Sequence, residues 1–245
     1  VGLLDADIYG PSVPTMLDTE GARPISVEVD GRNLMEPIEN YGVKMLSIGY
    51  FSGANQAVVW RGPMASKALN QMLRDANWGE LDFLLIDLPP GTGDIHLSII
   101  QEVPVTGAVV VSTPQHVALA DVKKGIAMFT MDSINIPVLG LIENMAYFTP
   151  EELPNNKYYI FGKQGAQNLA EDLGIPVLGE IPLIQSIREA GDVGRPAALQ
   201  ENSQIADIYT LTAQNMIESL VERNKSLPPT EAVKITTMAG CSPKK

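Results

Sequence analysis

Short apolar runs that alternate with helical patterns constrain the fold of this 245-residue chain more than any other feature. Several runs are apolar on both faces, which is typical of parallel strands covered by helices. The alternation therefore predicts an α/β fold with a doubly wound, mostly parallel sheet flanked by helices. The predicted strands are residues 2–5, 43–48, 58–60, 83–87, 108–112, 138–144 and 177–180, and the predicted helices are residues 63–75, 94–102, 119–131, 164–173, 183–190 and 204–223.

Two segments interrupt the alternation. Residues 24–40 surround the pair Asp30-Gly31, and Asp-Gly is a strong hairpin-turn signal. They therefore predict a small β-hairpin insertion. Residues 147–161 are rich in Pro, Asn and Glu and predict a loop.

The chain shows neither an internal repeat nor a linker composition, so we expect one domain over residues 1–223. Pro228-Pro229 follows the last predicted helix. Residues 224–245 are therefore predicted to be a disordered tail.

Charge and cysteine content exclude several classes of function. The formal net charge is −12, which argues against a partner such as nucleic acid or an anionic membrane surface, because both need clustered Lys and Arg. One Cys and two His leave no intrachain disulfide and little material for a zinc site. No run approaches the roughly 18 apolar residues of a membrane span, and no basic leader opens the sequence, so we expect a cytoplasmic protein.

Carboxylates follow two of the predicted strands. Asp5 and Asp7 lie two residues apart where the first strand ends, a pattern suited to Mg²⁺, which proteins hold through one or two carboxylates and several waters. Asp87 follows four apolar residues in the form of a Walker B strand, whose Asp orients the Mg²⁺ hydration shell at a nucleotide's phosphates. For Asp5 and Asp7 the alternative is an ordinary polar transition from strand to loop.

A glycine-rich loop follows Asp87. It includes Pro90, Gly91, Thr92, Gly93 and Asp94. Glycines let a backbone move, so the loop is a candidate switch. The alternative is a tight turn in which the Asp caps the next helix, and both could hold at once, with the neighbouring motifs favouring the switch.

Two further strand ends carry polar side chains. Asn144 ends the strand over residues 138–144, where its carboxamide suits either an adenine edge or a cap of the turn; spacing alone does not decide. The turn over residues 112–115 has two possible roles as well: its polar groups either line a nucleotide pocket or simply cap the next helix. His96 and His116 are interpreted as surface residues or satisfied hydrogen-bond partners rather than metal ligands.

These motifs, in this order, resemble the deviant Walker A class of P-loop ATPases, which includes MinD, ParA and the nitrogenase iron protein. Within that class the chain is more similar to the Mrp (ApbC-like) iron–sulfur cluster carriers, from residue 1 to about residue 223. The segments that carry the resemblance are Val1–Pro14, which contains Asp-Ala-Asp-Ile-Tyr-Gly-Pro-Ser, Trp60–Met64, Asp87–Asp94, Glu143–Tyr147, Ile160–Gly162 and Leu178–Pro182.

The resemblance implies a P-loop NTPase fold and a homodimer that binds ATP between its protomers. It implies Mg²⁺-dependent ATP hydrolysis and transfer of an iron–sulfur cluster to apo iron–sulfur proteins. The implied partners are these apoproteins and cluster assembly factors. Asp7 would orient the attacking water, and Asp5 and Asp87 would hold Mg²⁺ through water. Asn144 would read adenine, helped by the backbone near Pro182.

The chain departs from this family in two places. The family's P-loop, of the form G-K-G-G-V-G-K-S/T, precedes the Asp-Ala-Asp strand, and no such loop occurs in the 245 residues. Since the chain opens on that strand without Met, we expect a fragment of a longer protein. Many members carry a C-x-x-C pair after the Glu-Asn-Met segment, where this chain has residues 149–154 without Cys. Cys241 is then the one candidate thiolate for a cluster.

Two other functions compete with cluster transfer. A spatial-organisation ATPase of the MinD or ParA kind would need a basic amphipathic helix or a basic surface. The predicted helix over residues 204–223 is mostly polar and acidic, and lysines are sparse after it. The other alternative is a nucleotide-free scaffold, which an intact P-loop ahead of Val1 would exclude.

Overall fold

A computed structural model of the protein describes residues 1–51, 62–150, 152–153 and 155–234. The strands in these ranges are β1 (Gly2–Asp5), β2 (Ser26–Val29), β3 (Arg32–Met35), β4 (Ile38–Asn40), β5 (Val43–Ser47), β6 (Leu84–Asp87), β7 (Ala108–Ser112), β8 (Val138–Phe148) and β9 (Val177–Leu183). The α-helices are α1 (Val13–Met16), α2 (Gly62–Arg74), α3 (Asp94–Glu102), α4 (His116–Thr130), α5 (Gly165–Leu173), α6 (Gln185–Asp192) and α7 (Gln204–Ser226).

The main strands form two parallel half-sheets, which confirms the predicted α/β fold. The first half-sheet has the order β4-β5-β1-β6, and the second has the order β7-β8-β9. All neighbours are parallel except the edge strand β4, which is antiparallel to β5. Within the described ranges, β6 and β7 each have a pairing partner on one side only.

Helix α3 connects the two half-sheets. Ile95 and Ile99 pack into the core of the first half-sheet, beside Leu4 and α2. Ile100, on another face of the helix, packs against residues at the start of the second half-sheet, including Ala108. The β6–α3–β7 connection therefore lies over both half-sheets, in the manner of a crossover between parallel strands.

The predicted hairpin insertion is present as β2 and β3. Asp30 and Gly31 have φ angles of 51° and 75°, the left-handed pair that a two-residue hairpin turn requires. A second hairpin follows, in which β4 turns into β5 through Tyr41 and Gly42, with φ angles of 52° and 72°. That hairpin was not predicted, because Tyr at the first turn position is not a turn signal.

Strands β8 and β9 are longer than predicted. β8 continues through a register shift between Asn144 and Phe148, and Met145 within it has a φ of 54°. Phe148 then pairs with Tyr158, so the predicted loop begins after the strand rather than at residue 147. β9 continues past Pro182, which lies in the irregular stretch between the Asn144–Ile181 and Phe148–Leu183 pairs, and within the described residues β9 is an edge strand, where Pro is tolerated.

The structure differs from the predicted tail disorder over residues 224–234. α7 runs to Ser226, and the Arg223 guanidinium donates to the Pro228 carbonyl at 2.8 Å. The backbone N–H of Val233 donates to the Ile100 carbonyl at 2.9 Å. The Val233 side chain also packs into the cluster around α3 and β8, so apolar contact holds this segment. The predicted strand over residues 58–60 and the remainder of the tail lie outside the described residues.

The contact between β9 and α7 provides a test of the packing. A Cβ added at Gly179 would overlap Oγ1 of the buried Thr212 and would lie 2.9 Å from its Cγ2. We expect Gly179→Ala to lower the free energy of unfolding by about 1–3 kcal/mol, as overpacked core sites do. Urea denaturation followed by circular dichroism measures this.

Gly191→Ala in α6 is the matched control, because a Cβ there has open space. We expect it to leave stability unchanged or raise it by up to about 1 kcal/mol, since Ala restricts the unfolded chain. Equal free energies of unfolding for the two variants would contradict the close packing of Gly179 on α7.

Candidate functional site

Three carboxylates meet where β1 and β6 end. Asp5 and Asp87 are register partners in this parallel pair. Asp7 follows two residues after β1, and its negative charge acts on Asp87. The structure therefore brings together the three predicted acidic residues on adjacent strand ends, where open α/β sheets bind their ligands.

Asp5 is the buried member of this cluster, with an exposure of 0%. Its Oδ2 accepts a hydrogen bond from the Ser47 hydroxyl at 2.7 Å, and its Oδ1 accepts the Asp7 backbone N–H at 3.1 Å. Burial raises the pKa of Asp5, and these hydrogen bonds oppose that rise. Asp5 thus faces the protein, and its oxygens are engaged in organising the loop after β1.

Asp7 is held by the loop that follows it. Its Oδ1 accepts the backbone N–H groups of Tyr9 at 3.0 Å and Gly10 at 3.2 Å. Both bonds fall on the same oxygen, and the described residues donate no side-chain or backbone hydrogen bond to Oδ2 of this half-buried side chain. The loop therefore fixes one oxygen of the carboxylate and presents the other.

Asp87 is the solvent-accessible member of the cluster. Partial desolvation of the carboxyl, and then the charge of Asp7, raise the pKa of Asp87. The described residues contain no group of three or more His, Cys, Asp or Glu side chains arranged to hold a metal ion. One accessible carboxylate beside a second suits a hydrated Mg²⁺ rather than a site closed by protein ligands.

The glycine-rich loop after β6 is exposed from Pro90 to Asp94. Gly91 has a φ of 91°, which favours glycine, and Gly93 is the N-cap of α3. Asp94 is the first residue of the helix, so the alternative in which it caps the helix is wrong. The loop has the exposure and backbone freedom that its predicted switch role requires.

His96 holds the end of this loop from the protein interior. The side chain is buried, and its Nδ1 accepts the Gly93 backbone N–H at 3.3 Å. Burial lowers the pKa of His96, and a hydrogen bond with the Pro89 backbone opposes that change. Of the two settings predicted for His96, a surface position or a satisfied hydrogen-bond partner, the structure shows the second.

Asn144 lies on the second half-sheet. Its Oδ1 accepts the Met145 backbone N–H at 3.0 Å, which supports the left-handed conformation of that residue. In the β8–β9 register Asn144 lies opposite Ile181, immediately before the buried Pro182. The structure thus brings Asn144 and Pro182, the two residues predicted to contact adenine, to neighbouring strands.

Glu143 is a functional candidate that the sequence analysis missed. It is buried and accepts the Ala166 backbone N–H at 2.6 Å, at the start of α5. Burial is the main cause that raises the pKa of Glu143. A Cβ on Gly165 would overlap the Pro114 carbonyl, so α5 begins directly against the turn after β7. The signal was visible as an acidic residue within an apolar run, next to Asn144.

An apolar groove of about 470 Å³ opens beyond the ends of β8 and β9. The residues that line it are Phe148, Ile160, Leu183, Ile184, Gln185 and Arg188. It lies beyond Asn144 along β8 and next to Pro182 along β9. A flat, apolar ligand group would gain contact area there.

Several predicted features fall outside this description. Trp60, Arg61, Glu151 and Cys241 lie outside the described residues. In the described part of the chain, no helix combines the length and apolar character needed to cross a bilayer.

The curated proteins to which this chain is similar include several iron–sulfur cluster carrier or transfer proteins. The iron–sulfur cluster carrier protein of Escherichia coli K12 is 48% identical over 93% of this chain and 60% of its own length. The carrier protein of Synechocystis is 45% identical over 87% of the chain and 60% of its length. The mouse iron–sulfur cluster transfer protein NUBPL is 45% identical over 90% of the chain and 67% of its length. The chain thus spans about 60% of the length of the bacterial relatives.

Solved structures support the same fold. A nucleotide-binding protein from Archaeoglobus fulgidus, solved with ADP, is 36% identical with a TM-score of 0.66, covering 79% of this chain and 73% of its own. MinD from Pyrococcus furiosus is 21% identical with a TM-score of 0.58, covering 89% of this chain and 85% of its own. The likeness to MinD therefore concerns the fold alone.

A family model completes the comparison. The model for ParA-type proteins described as NUBPL iron-transfer P-loop NTPases matches residues 1–217. This range contains the acidic cluster, the loop after β6 and the part of β8 that carries Asn144. The chain therefore belongs to the ParA-type family of NUBPL iron-transfer P-loop NTPases.

Proposed function

We propose that this protein hydrolyses Mg²⁺-ATP and carries an iron–sulfur cluster to apo iron–sulfur proteins. The observation that carries the proposal is the placement of Asp5, Asp7 and Asp87 on adjacent ends of parallel strands, in a chain of this family. The names of the relatives support cluster transfer, and the ADP bound to the archaeal relative supports an adenine nucleotide.

The three carboxylates of the acidic cluster would have different roles in hydrolysis. Asp7, with Oδ1 held by Tyr9 and Gly10, would orient the attacking water through its second oxygen. Asp87, the accessible carboxylate, would hold Mg²⁺ through water, and Asp5 would act on that hydration shell from its buried position. Mg²⁺ would neutralise charge on the phosphates, which is the main requirement of phosphoryl transfer to water.

The phosphates also need a cradle of backbone amides and a lysine. We propose that a parallel strand with the family's P-loop lies between β6 and β7. Each of these strands has one unpaired edge within the described residues. Leu85 and Val111 on the two strands are 43% and 57% exposed. A strand and its following helix would pair those edges and cover these side chains.

The second half-sheet supplies the base site. Asn144 would pair with the adenine edge through its amide group, next to the backbone at Pro182. The apolar groove beyond Phe148 and Leu183 offers surface to the flat base. Two protomers would enclose the nucleotide, and Tyr9, which is 81% exposed beside the acidic cluster, is suited to such a contact.

The cluster itself is cargo, and thiol content limits how it is held. A [4Fe–4S] cluster usually takes four Cys thiolates, and this chain supplies one, Cys241. A homodimer would supply two, which leaves the remaining iron sites to a partner's thiols or to small thiols. Carboxylates such as Glu152 are hard ligands and poor substitutes.

The first test concerns hydrolysis. The chain is extended before Val1 by a strand–P-loop–helix segment of the family's form. We expect Asp7→Asn in this extended chain to lower kcat by about 100-fold or more, with KM for ATP little changed, because water positioning is lost while phosphate contacts remain. Phosphate release measures both constants.

Asp82→Asn is the matched control, since it removes the same charge at an exposed position just before β6. Equal turnover of wild type and Asp7→Asn would remove Asp7 from the mechanism. The 245-residue chain without the added segment should bind ATP weakly or not at all by calorimetry. Micromolar binding there would contradict the need for a P-loop, and no turnover after the extension would favour the scaffold alternative.

The second test concerns the base. In the extended chain, Asn144→Ala should weaken ATP binding about three- to tenfold, as loss of one or two hydrogen bonds does. It should leave the affinity for tripolyphosphate, which has no base, unchanged. Asn215→Ala is the control, because its amide donates to the Leu178 carbonyl instead. An equal loss for both ligands in Asn144→Ala would give Asn144 a structural role in the turn.

The third test concerns the cluster. The 245-residue chain is reconstituted with iron and sulfide without oxygen, desalted, and measured by visible absorption. We expect less than one cluster per dimer to survive, and more when a small thiol such as glutathione is present. A stable, stoichiometric cluster in the wild type that is lost in Cys241→Ser would contradict this and make Cys241 a principal ligand.

A further inference from the structure

Ser47 ends β5 and is fully buried, with an exposure of 0%. Its hydroxyl accepts the Gly49 backbone N–H at 3.0 Å and donates to Asp5 Oδ2 at 2.7 Å. A hydroxyl has a single proton, and a carboxylate oxygen accepts it. The hydroxyl proton is therefore directed at Asp5.

The same hydrogen-bonded path continues to Asp7. The other oxygen of Asp5 accepts the Asp7 backbone N–H at 3.1 Å, which fixes the position of that backbone relative to β1. The Asp7 carboxylate in turn accepts two N–H groups from the loop that follows it. Ser47 is thus linked through Asp5 to the orientation of the Asp7 side chain.

Close packing holds Ser47 against the same loop. A Cβ on Gly49 would lie 3.2 Å from the Ser47 Oγ and 3.3 Å from two side-chain carbons of Pro11. The turn after β5 therefore lies tightly between Ser47 and the loop after β1. The hydroxyl joins the end of β1 to the turn after β5, and the loop that carries Asp7 is attached to the same point through the second oxygen of Asp5.

We propose that Ser47 is a positioning residue for ATP hydrolysis, which holds the Asp7 carboxylate in place through Asp5. This inference rests on the proposed role of Asp7 in orienting water. A purely structural role would lower stability without acting specifically through Asp7, and the two roles give different results in the experiments below.

The first experiment needs no activity. In the 245-residue chain, Ser47→Ala should speed hydrogen–deuterium exchange at the backbone amides of Asp7, Tyr9 and Gly10 by about tenfold, because the carboxylates that accept them lose their anchor. Ser47→Thr keeps the hydroxyl and should keep slow exchange. Ser219→Ala is the matched control, since it removes a hydroxyl that bonds the Leu139 carbonyl, away from the acidic cluster. Unchanged exchange in Ser47→Ala would overturn the proposal whatever the protein hydrolyses.

The second experiment is a double-mutant cycle on kcat in the extended chain. Ser47→Ala alone should lower kcat about 10- to 100-fold with little change in KM, as small displacements of catalytic groups do. In the Asp7→Asn background the same substitution should lower kcat less than threefold, because its effect passes through Asp7. Multiplicative losses in the double variant, or loss of activity in step with thermal stability, would overturn the proposal. If Asp7→Asn alone has no effect, the proposed role of Asp7 in hydrolysis fails, and the exchange result still decides whether Ser47 holds Asp7 in place.

Discussion

The buried carboxylate of Asp5 is the constraint on which the acidic half of the site depends. An ionised group removed from water is strongly unfavourable unless hydrogen bonds replace its hydration. Ser47 and the backbone of Asp7 supply those bonds, so the end of β5 and the start of the next loop are both fixed relative to β1. The opposing effects on the pKa of Asp5, burial raising it and hydrogen bonds lowering it, record the same balance. The hydrogen bonds that the buried Asp5 requires thus fix the relative positions of the segments that form the site.

The second half-sheet also contains a buried carboxylate that hydrogen bonds must stabilise. Glu143 is buried within β8, and the N–H of Ala166 at the start of α5 bonds to it. A helix N-terminus favours negative charge, so the buried carboxylate and the helix stabilise each other. Asn144 follows directly, and its own backbone turn is closed by its side chain. Each half-sheet therefore contains a buried acid that accepts a backbone N–H from a neighbouring segment, and the residue proposed to act on the nucleotide follows that acid by one or two positions.

Much of the fold could be predicted because strand-forming and turn-forming residues act locally. The Asp30-Gly31 turn and the limits of α3 needed only neighbouring residues. The Tyr41-Gly42 hairpin could not be predicted, since β5 stabilises a left-handed Tyr that the turn alone would disfavour. Asp5, Asp7 and Asp87 were accessible to prediction because parallel strands align their ends. The partners of the buried acids were not, because Ser47 is 42 residues from Asp5 and Ala166 is 23 residues from Glu143. Only the folded register brings such pairs together.

Charge sets the final condition on this site. Asp5, Asp7 and Asp87 lie close enough that Asp7 raises the pKa of Asp87, and Asp87 raises that of Asp5. Such a cluster repels a triphosphate, and the net charge of −12 on the whole chain adds to that repulsion. The carboxylates can therefore serve hydrolysis only with positive charge placed between them and the phosphates. In the proposed function Mg²⁺ would supply part of it, and the lysine and amides of a P-loop would supply the rest. The P-loop strand proposed between β6 and β7 would add that charge beside Asp87. The acidic cluster and the strand edges that have no pairing partner within the described residues therefore both favour that proposal.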